Sequence, residues 1–264
     1  MPPNSPEAVQ PEPVALDRDD NDYAAQYDEA FVARWDDLID WQKRALGEGD
    51  FFAGALMRAG ACRILDASAG SGFHSVQLSR KGFDVVACDG SAAMVERARR
   101  NFREHGVKVP LHHCDWRALA SEKLGRFDAV LCLGSSLCHV FQREERIDVL
   151  RRFRYLLRPG GMLLLDRRNF DAILAGRYKA SGRYYYCGDQ ATVSLGEVND
   201  SLCEFRYGFE DGQQWRLRVY PLRHRDVCEE LAEAGFVEHT AFGDFKPLFD
   251  LYGSDFVLHK AIAP

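Results

Sequence analysis

The sequence predicts an α/β fold: a doubly wound, mostly parallel sheet of seven strands that carries an antiparallel cap. Three observations predict it. Strand-like and helix-like patterns alternate from residue 64 to residue 166, and such alternation builds a parallel sheet wrapped on both faces. Two of the strand patterns, AVLCLG (129–134) and MLLLD (162–166), are unbroken apolar runs, as strands buried on both sides require. Beyond residue 175 the pattern switches to short strands with hairpin signals.

Each element follows from local spacing. In 23–46, Phe31, Trp35, Leu38 and Trp41 recur at helical intervals, so the segment reads as one helix. A second helix covers 51–58. Strand one, 64–67, enters the glycine turn DASAGSG (66–72), which runs into a helix starting near Phe73. Strand two is 85–88. Ser91 is placed to cap the following helix, on which Met94, Ala98 and Phe102 share one side. Strand three is 109–113 and strand four 127–133. Ile147, Leu150, Phe153 and Leu157 mark a helix that Pro159-Gly160-Gly161 stops, and strand five is 162–166. Within 183–220, Asp211-Gly212 separates CEFRYGF from QQWRLRVYP, a good hairpin turn. A helix over 225–234 and strands over 237–242 and 256–259 return to the sheet. The expected organisation is a disordered tail (1–20), a ligand-binding core with an N-terminal helical lid (21–175), an antiparallel cap (176–220) and a completion of the sheet (221–264).

Composition narrows the function. The chain of 264 residues carries a net charge of −6, which disfavours nucleic acid as a partner. No apolar run approaches the roughly 20 residues that cross a bilayer. The first 20 residues hold five of the ten prolines and lack the basic start and apolar stretch of a secretory signal, so the expected location is cytoplasmic. None of the eight cysteines forms a Cys-x-x-Cys pair, and five lie in or just after apolar runs. They read as buried free thiols, with no metal site. The basic run RRFRYLLR (151–158) keeps its apolar residues at helical spacing, so its arginines form a solvated face.

The glycine turn lies at the carboxyl end of strand one, where open α/β sheets bind ligands. Gly70 and Gly72 permit a sharp turn and close approach of a ligand. The dinucleotide fingerprint wants a third Gly or Ala where this chain has Ser75. A phosphate also gains little from a carboxylate four residues ahead of the first glycine, and Asp66 stands there. An ammonium-bearing ligand would use it better. D-x-x-x-G-x-G after a strand resembles the first motif of the S-adenosylmethionine-dependent methyltransferases, with their Rossmann-like sheet. The resemblance implies that Asp66 orients the amino group of the cofactor. It also implies that Asp89, after strand two, grips the ribose hydroxyls, and that Asp115, after strand three, lies beside the adenine. Ala67, Gly90, Met94, Trp116 and Leu133 adjoin these positions and complete the expected cofactor lining.

A narrower resemblance rests on more specific stretches. ARWDDLIDWQKRA (33–45), VLCLGSSLCH (130–139), DRRNFDAIL (166–174), YYYCGD (184–189), VYPL (219–222) and GDFKP (243–247) are similar to the glycine N-methyltransferase group, above all the microbial glycine/sarcosine enzymes that make betaine precursors. The likeness runs from about residue 23 to residue 259. It implies that Arg168 clamps the substrate carboxylate, while Arg167 faces elsewhere. It implies that Tyr220 contacts the substrate, with Tyr185 and Tyr186 near the pocket or structural in the cap. Tyr27, Trp35 and Arg44 would close over the cofactor, the arginine pairing with its carboxylate, and His139 would stand in the pocket wall. The family reads C-L-G-N-S after strand four, where this chain has Ser135, and its next residue is phenylalanine, where this chain has Leu137. A slightly larger, differently wired pocket is expected, open to glycine, sarcosine or a bulkier amine. The implied reaction is in-line methyl transfer to a neutral amine, catalysed mainly by alignment. Two other readings stay open here: a methyltransferase of secondary metabolism acting on another carboxylate-bearing amine or on oxygen, and a protein that binds the cofactor without turnover. The oligomeric state is left open.

Overall fold

A computed structural model describes residues 23–119, 124–177 and 186–264. The expected tail and Tyr185 lie outside the described residues. The strands are β1 (Arg63–Asp66), β2 (Asp84–Asp89), β3 (Leu111–His113), β4 (Phe127–Cys132), β5 (Leu157–Arg168), β6 (Ala191–Val198), β7 (Cys203–Phe209), β8 (Gln214–Val219), β9 (Glu238–Gly243) and β10 (Phe256–Ile262). Seven of them form one sheet in the order β3-β2-β1-β4-β5-β10-β9. β1 pairs in parallel with β2 and β4, and β4 with β5. Only β10 is reversed, antiparallel to both β5 and β9. Strand order switches direction between β1 and β4, so the loops leaving their carboxyl ends diverge and open a crevice.

Both faces of the sheet are buried, as the unbroken apolar runs require. Ile64, Ala129, Leu131, Met162 and Leu164 join one core with Phe52 and Leu56 of a helix at Phe51–Arg58. Their strand neighbours Leu65, Val130, Cys132, Leu163 and Leu165 join the opposite core with Val149, Leu150 and Phe153 of a helix at Arg143–Leu156. Alternation along each strand thus serves two apolar layers rather than one. On the second layer, buried Arg146 donates to buried Glu230 at 2.7 Å and to the carbonyls of Val140 and Phe141, tying that helix to the one at His224–Glu233.

β6, β7 and β8 form a separate antiparallel sheet in sequence order, joined at the expected Asp211-Gly212 turn. It carries Phe205, Tyr207, Leu217 and Val219 towards the carboxyl ends of the main sheet. All eight cysteines are free, five of them buried, and Cys62 is exposed.

Two expectations are corrected. The segment 23–46 is not one helix but four short ones, Tyr23–Gln26, Glu29–Ala33, Trp35–Leu38 and Trp41–Glu48. Asp28 and Asp40 accept hydrogen bonds from the backbone N–H groups of Phe31 and of Gln42 and Lys43. These side chains restart the helix, because Asp competes for backbone donors better as a cap than in a helix interior. The breaks let the segment wrap around the site. Second, Pro159-Gly160-Gly161 lies within β5 instead of before it. The helix ends at Leu156, and the register with β4 jumps from Phe127↔Leu157 to Ala129↔Met162, so the three residues form a bulge.

Gly72 caps the helix at Phe73–Arg80 with φ 95°, and an added Cβ would lie 2.5 Å from the Phe102 ring. Gly70 also has positive φ, but a Cβ there would meet nothing within 4 Å. Gly72→Ala should therefore cost about 2–4 kcal/mol, a backbone term plus overpacking, and Gly70→Ala only about 1–2 kcal/mol. Urea unfolding of the two variants checks the difference.

Candidate active site

The carboxyl ends of the strands gather buried and half-buried acids. Asp66, the last residue of β1, is fully buried, and its Oδ2 accepts from Ser75 Oγ at 2.6 Å. Burial pushes its carboxyl up, against the pull of His74 and Ser75. Ser75, the residue that breaks the dinucleotide fingerprint, is thus the anchor of this carboxylate. Asp89 ends β2. Its Oδ2 accepts the Gly70 N–H at 2.8 Å and its Oδ1 accepts the Ser91 N–H at 2.9 Å. Burial pushes Asp89 up to about 6 in spite of those two bonds. The acid after β2 therefore shapes the glycine loop after β1. Gly70 leaves its outer face open, so a ligand can lie on the loop backbone. Trp116 donates its indole N–H to the Ala67 carbonyl at 2.5 Å and packs on Phe153. Met94 and Leu133 are buried beside these strand ends.

Asp115 differs from the other two in pairing with an arginine. It is partly exposed and holds Arg117 through two hydrogen bonds of 2.9 and 2.8 Å. Burial raises its carboxyl, but the bonds from Arg117 outweigh that and lower it. Tyr23 donates to Asp115 Oδ2 at 3.0 Å, and its ring covers Gly90 so closely that a Cβ there would meet the phenol oxygen at 2.0 Å. Neither Tyr23 nor Arg117 was expected at this corner from the sequence, because neither belongs to a motif.

The N-terminal segment and the cap close the crevice together. Ile39 bridges Cys187, and the Asp40 N–H donates to the Tyr186 carbonyl at 2.8 Å. Phe31 stacks on Trp215 of β8. Arg44 is aimed by a buried neighbour: its Nε donates to Glu48 Oε1 at 2.7 Å, while Glu48 Oε2 meets His74 Nε2 at 2.9 Å. Burial alone would raise the Glu48 carboxyl, yet His74 and Arg44 hold it down at about 2. Glu48 and His74 were missed because a lone acid and a lone His carry no pattern.

Between these layers lies a cavity of about 80 Å³. Tyr27, Trp35, Arg44, Ser135, His139 and Arg168 all line it, and Asp166 joins them. Arg168 ends β5. Its guanidinium lies 4.3 Å from the Phe256 ring centroid and 5.0 Å from that of Tyr186. Such flanking holds the charged plane without removing its hydrogen-bonding edge. Ser135 stitches the loop after β4 to β5. Its N–H donates to Asp166 Oδ1 at 2.8 Å, and its Oγ accepts the Arg168 N–H at 2.9 Å. The loop needs left-handed backbone, with φ 61° at Ser135, a region where Asn is common. The serine hydroxyl is thus engaged by the strand rather than offered freely to the cavity. His139 Nε2 lies 3.1 Å from Tyr27 Oη, and its Nδ1 is buried without a hydrogen-bond partner. Burial pushes His139 down to about 4, so it is neutral at physiological pH.

Tyr220 is not brought to this cavity. Its ring lies 4.3 Å below the Arg146 guanidinium, outside the cavity lining, and β8 instead presents Leu217 and Val219. Tyr220 follows the last residue of β8, and its N–H donates to the Cys138 carbonyl at 2.8 Å. Arg167 likewise points away, fully buried and bonded to Asp171 at 3.1 Å.

A seven-stranded open sheet with one reversed strand, buried acids at its strand ends and a glycine loop between them defines a methyltransferase of Rossmann-like fold. The description "Methyltransferase domain" matches residues 64–161. An S-adenosylmethionine-dependent methyltransferase from Clostridium acetobutylicum shares the fold, with TM-score 0.69 at 17% identity over 88% of this chain and 97% of that one. The glycine/sarcosine N-methyltransferase of Halorhodospira halochloris is 44% identical over 244 residues, 92% of this chain and 91% of its own. That of Aphanothece halophytica is 41% identical over 92% of each chain. The chain belongs to the glycine/sarcosine N-methyltransferase family. Among the described residues no helix is long and apolar enough to cross a membrane.

Ser135→Ala keeps the backbone but removes the acceptor of the Arg168 N–H. The variant should lose about 1–3 kcal/mol of stability, the cost of an unsatisfied buried donor. Chemical denaturation of the two proteins measures it.

Proposed function

We propose that this protein transfers the methyl group of S-adenosylmethionine to the amino nitrogen of glycine and of sarcosine. The observation that carries the reading is the guanidinium of Arg168, flanked by Phe256 and Tyr186 at the end of β5 and facing a small cavity. A fixed planar cation in a small enclosed space suits a small carboxylate, gripped by two parallel hydrogen bonds. The family relationship supports the same choice of acceptor.

The residues present fit the cofactor. The open backbone of Gly70 would give its methionine part a surface, and Asp66 at the end of β1 would hold its amino group. Arg44, aimed by Glu48, is the cation for its carboxylate. Asp89, which also holds the Gly70 N–H, would accept from the ribose hydroxyls, and Trp116, bonded to the Ala67 carbonyl, would hold the adenine side with Asp115. Tyr27 and Trp35 cover the site from the N-terminal segment. When bound, S-adenosylmethionine supplies an electrophilic methyl group on sulfur.

The chain's own contribution is alignment and exclusion of water. Arg168 fixes the acceptor carboxylate, and Ser135 fixes Arg168 through its backbone. Neutral His139 and Tyr27 form a hydrogen-bonded wall. Phe205, Tyr207, Leu217 and Val219 of the cap close the apolar side. The cytoplasm is the proposed location, and the unit 21–175 with its cap at 176–220 is the proposed functional core.

Arg168→Lys keeps the charge and loses the fork. It should raise KM for sarcosine about tenfold or more and leave the dissociation constant of S-adenosylmethionine within about twofold. Steady-state kinetics with calorimetry of cofactor binding checks both. An unchanged acceptor KM would contradict the assignment.

A further inference from the structure

The acceptor in this reading has two charged ends, and Arg168 accounts for only one. Asp166 lies two residues before Arg168 on β5, so both side chains leave the same face of the sheet, with Cα atoms about 6.5 Å apart. Both line the same cavity, and their exposures are 2% and 5%. A carboxylate offers about four lone-pair positions, and Asp166 gives one of them to the Ser135 N–H. We propose that Asp166 binds the amino group of the acceptor and takes the proton that this nitrogen must shed. The inference rests on the function proposed above and adds a residue to it.

The geometry is that of a clamp for a zwitterion. A small α-amino acid carries a carboxylate and an ammonium on neighbouring carbons, and this strand presents a guanidinium and a carboxylate on one face. Arg168 alone would accept acetate as readily as glycine. With Asp166 the site distinguishes them, because only the amino acid bears a donor for the second group. The proton balance is simple. The bound ammonium gives one proton to the Asp166 carboxylate, which leaves a neutral amine and a carboxylic acid. The nitrogen lone pair then forms the N–C bond while the C–S electron pair returns to the sulfonium sulfur. The product leaves as a methylated ammonium, and Asp166 returns its proton to water.

The surroundings suit a proton acceptor. The charges of Arg44, Glu48 and His74 act on Asp166, as it acts on the Cys132 and Cys138 thiols of β4 and the turn after it. Burial pushes its carboxyl above the ordinary range, against the Ser135 N–H and Arg44. The raised affinity for a proton brings it nearer to that of the amine.

Asp166→Asn is the direct test, because the amide oxygen can still accept the Ser135 N–H. Losing a charged hydrogen bond should raise KM for sarcosine about tenfold or more. The inhibition constant of acetate, which has the carboxylate but no amine, should stay within about twofold. The dissociation constant of S-adenosylmethionine should also be unchanged. An unaltered sarcosine KM overturns the proposal. So does an equal loss for acetate, which would mark a structural role, or a loss confined to S-adenosylmethionine, which would place the carboxylate on the cofactor amine. A measurement on the unmodified protein stands beside it. With S-adenosylhomocysteine bound, glycine should bind at least about tenfold more tightly than acetate by calorimetry, and equal affinities overturn the proposal. If the unmodified enzyme turns over neither glycine nor sarcosine, the function proposed above fails first, which separates the two failures.

Discussion

Burying charge at the carboxyl ends of a sheet is the constraint on which this structure depends. An ionised group removed from water is stable only if donors or opposite charges replace its solvent. Here Asp66, Asp166, Glu48 and Arg168 are buried and Asp89 is half-buried. The four acids are each met locally: Asp66 by Ser75, Asp89 by two loop amides, Asp166 by the Ser135 amide, Glu48 by Arg44 and His74. These partners are also the elements that shape the site. The glycine loop curls because Asp89 holds it, and the loop after β4 turns back because Asp166 and the Arg168 amide hold Ser135. Satisfying the buried charges and building the pocket are one arrangement.

That arrangement leaves the site poised for ligands that bring complementary groups. Asp89 is pushed up to about 6 by burial, and hydroxyl donors would favour its ionised form. Arg168 has aromatic rings around it and lines the cavity. The cap and the broken N-terminal helices supply the lid over these groups. The Ile39–Cys187 bridge and the Phe31–Trp215 stack join the two pieces, so the two pieces are coupled where they cover the crevice.

Much of this was legible in the sequence, for identifiable reasons. The parallel sheet shows in runs such as AVLCLG because two-sided burial leaves no polar alternation. The glycine loop and the acids Asp66, Asp89 and Asp115 show because their spacing from strand ends is regular. The cap hairpin shows because Asp211-Gly212 fits one turn geometry. What stayed hidden depends on side-chain direction or on lone residues. The N-terminal helix breaks at Asp28 and Asp40 because capping outcompetes propensity, and apolar spacing alone does not report that. Tyr220 matches its motif, yet just past the end of β8 its ring packs under Arg146 while Val219 lines the cavity. Glu48 and His74 act through a contact between a helix end and the glycine-loop helix, 26 residues apart. Asp166 was legible only as the end of a strand, because its partner Ser135 lies 31 residues away.

The central claim is that the cavity bounded by Arg168 accepts a small amino acid for methylation. An endpoint assay with S-adenosylmethionine, read by mass spectrometry, tests it most directly. Glycine, sarcosine, dimethylglycine, several larger amino acids and a blank would be run separately on the unmodified protein. Methylated glycine and sarcosine, each with a matching amount of S-adenosylhomocysteine, is the expected result. Turnover of a larger amine with none of glycine or sarcosine would contradict the claim.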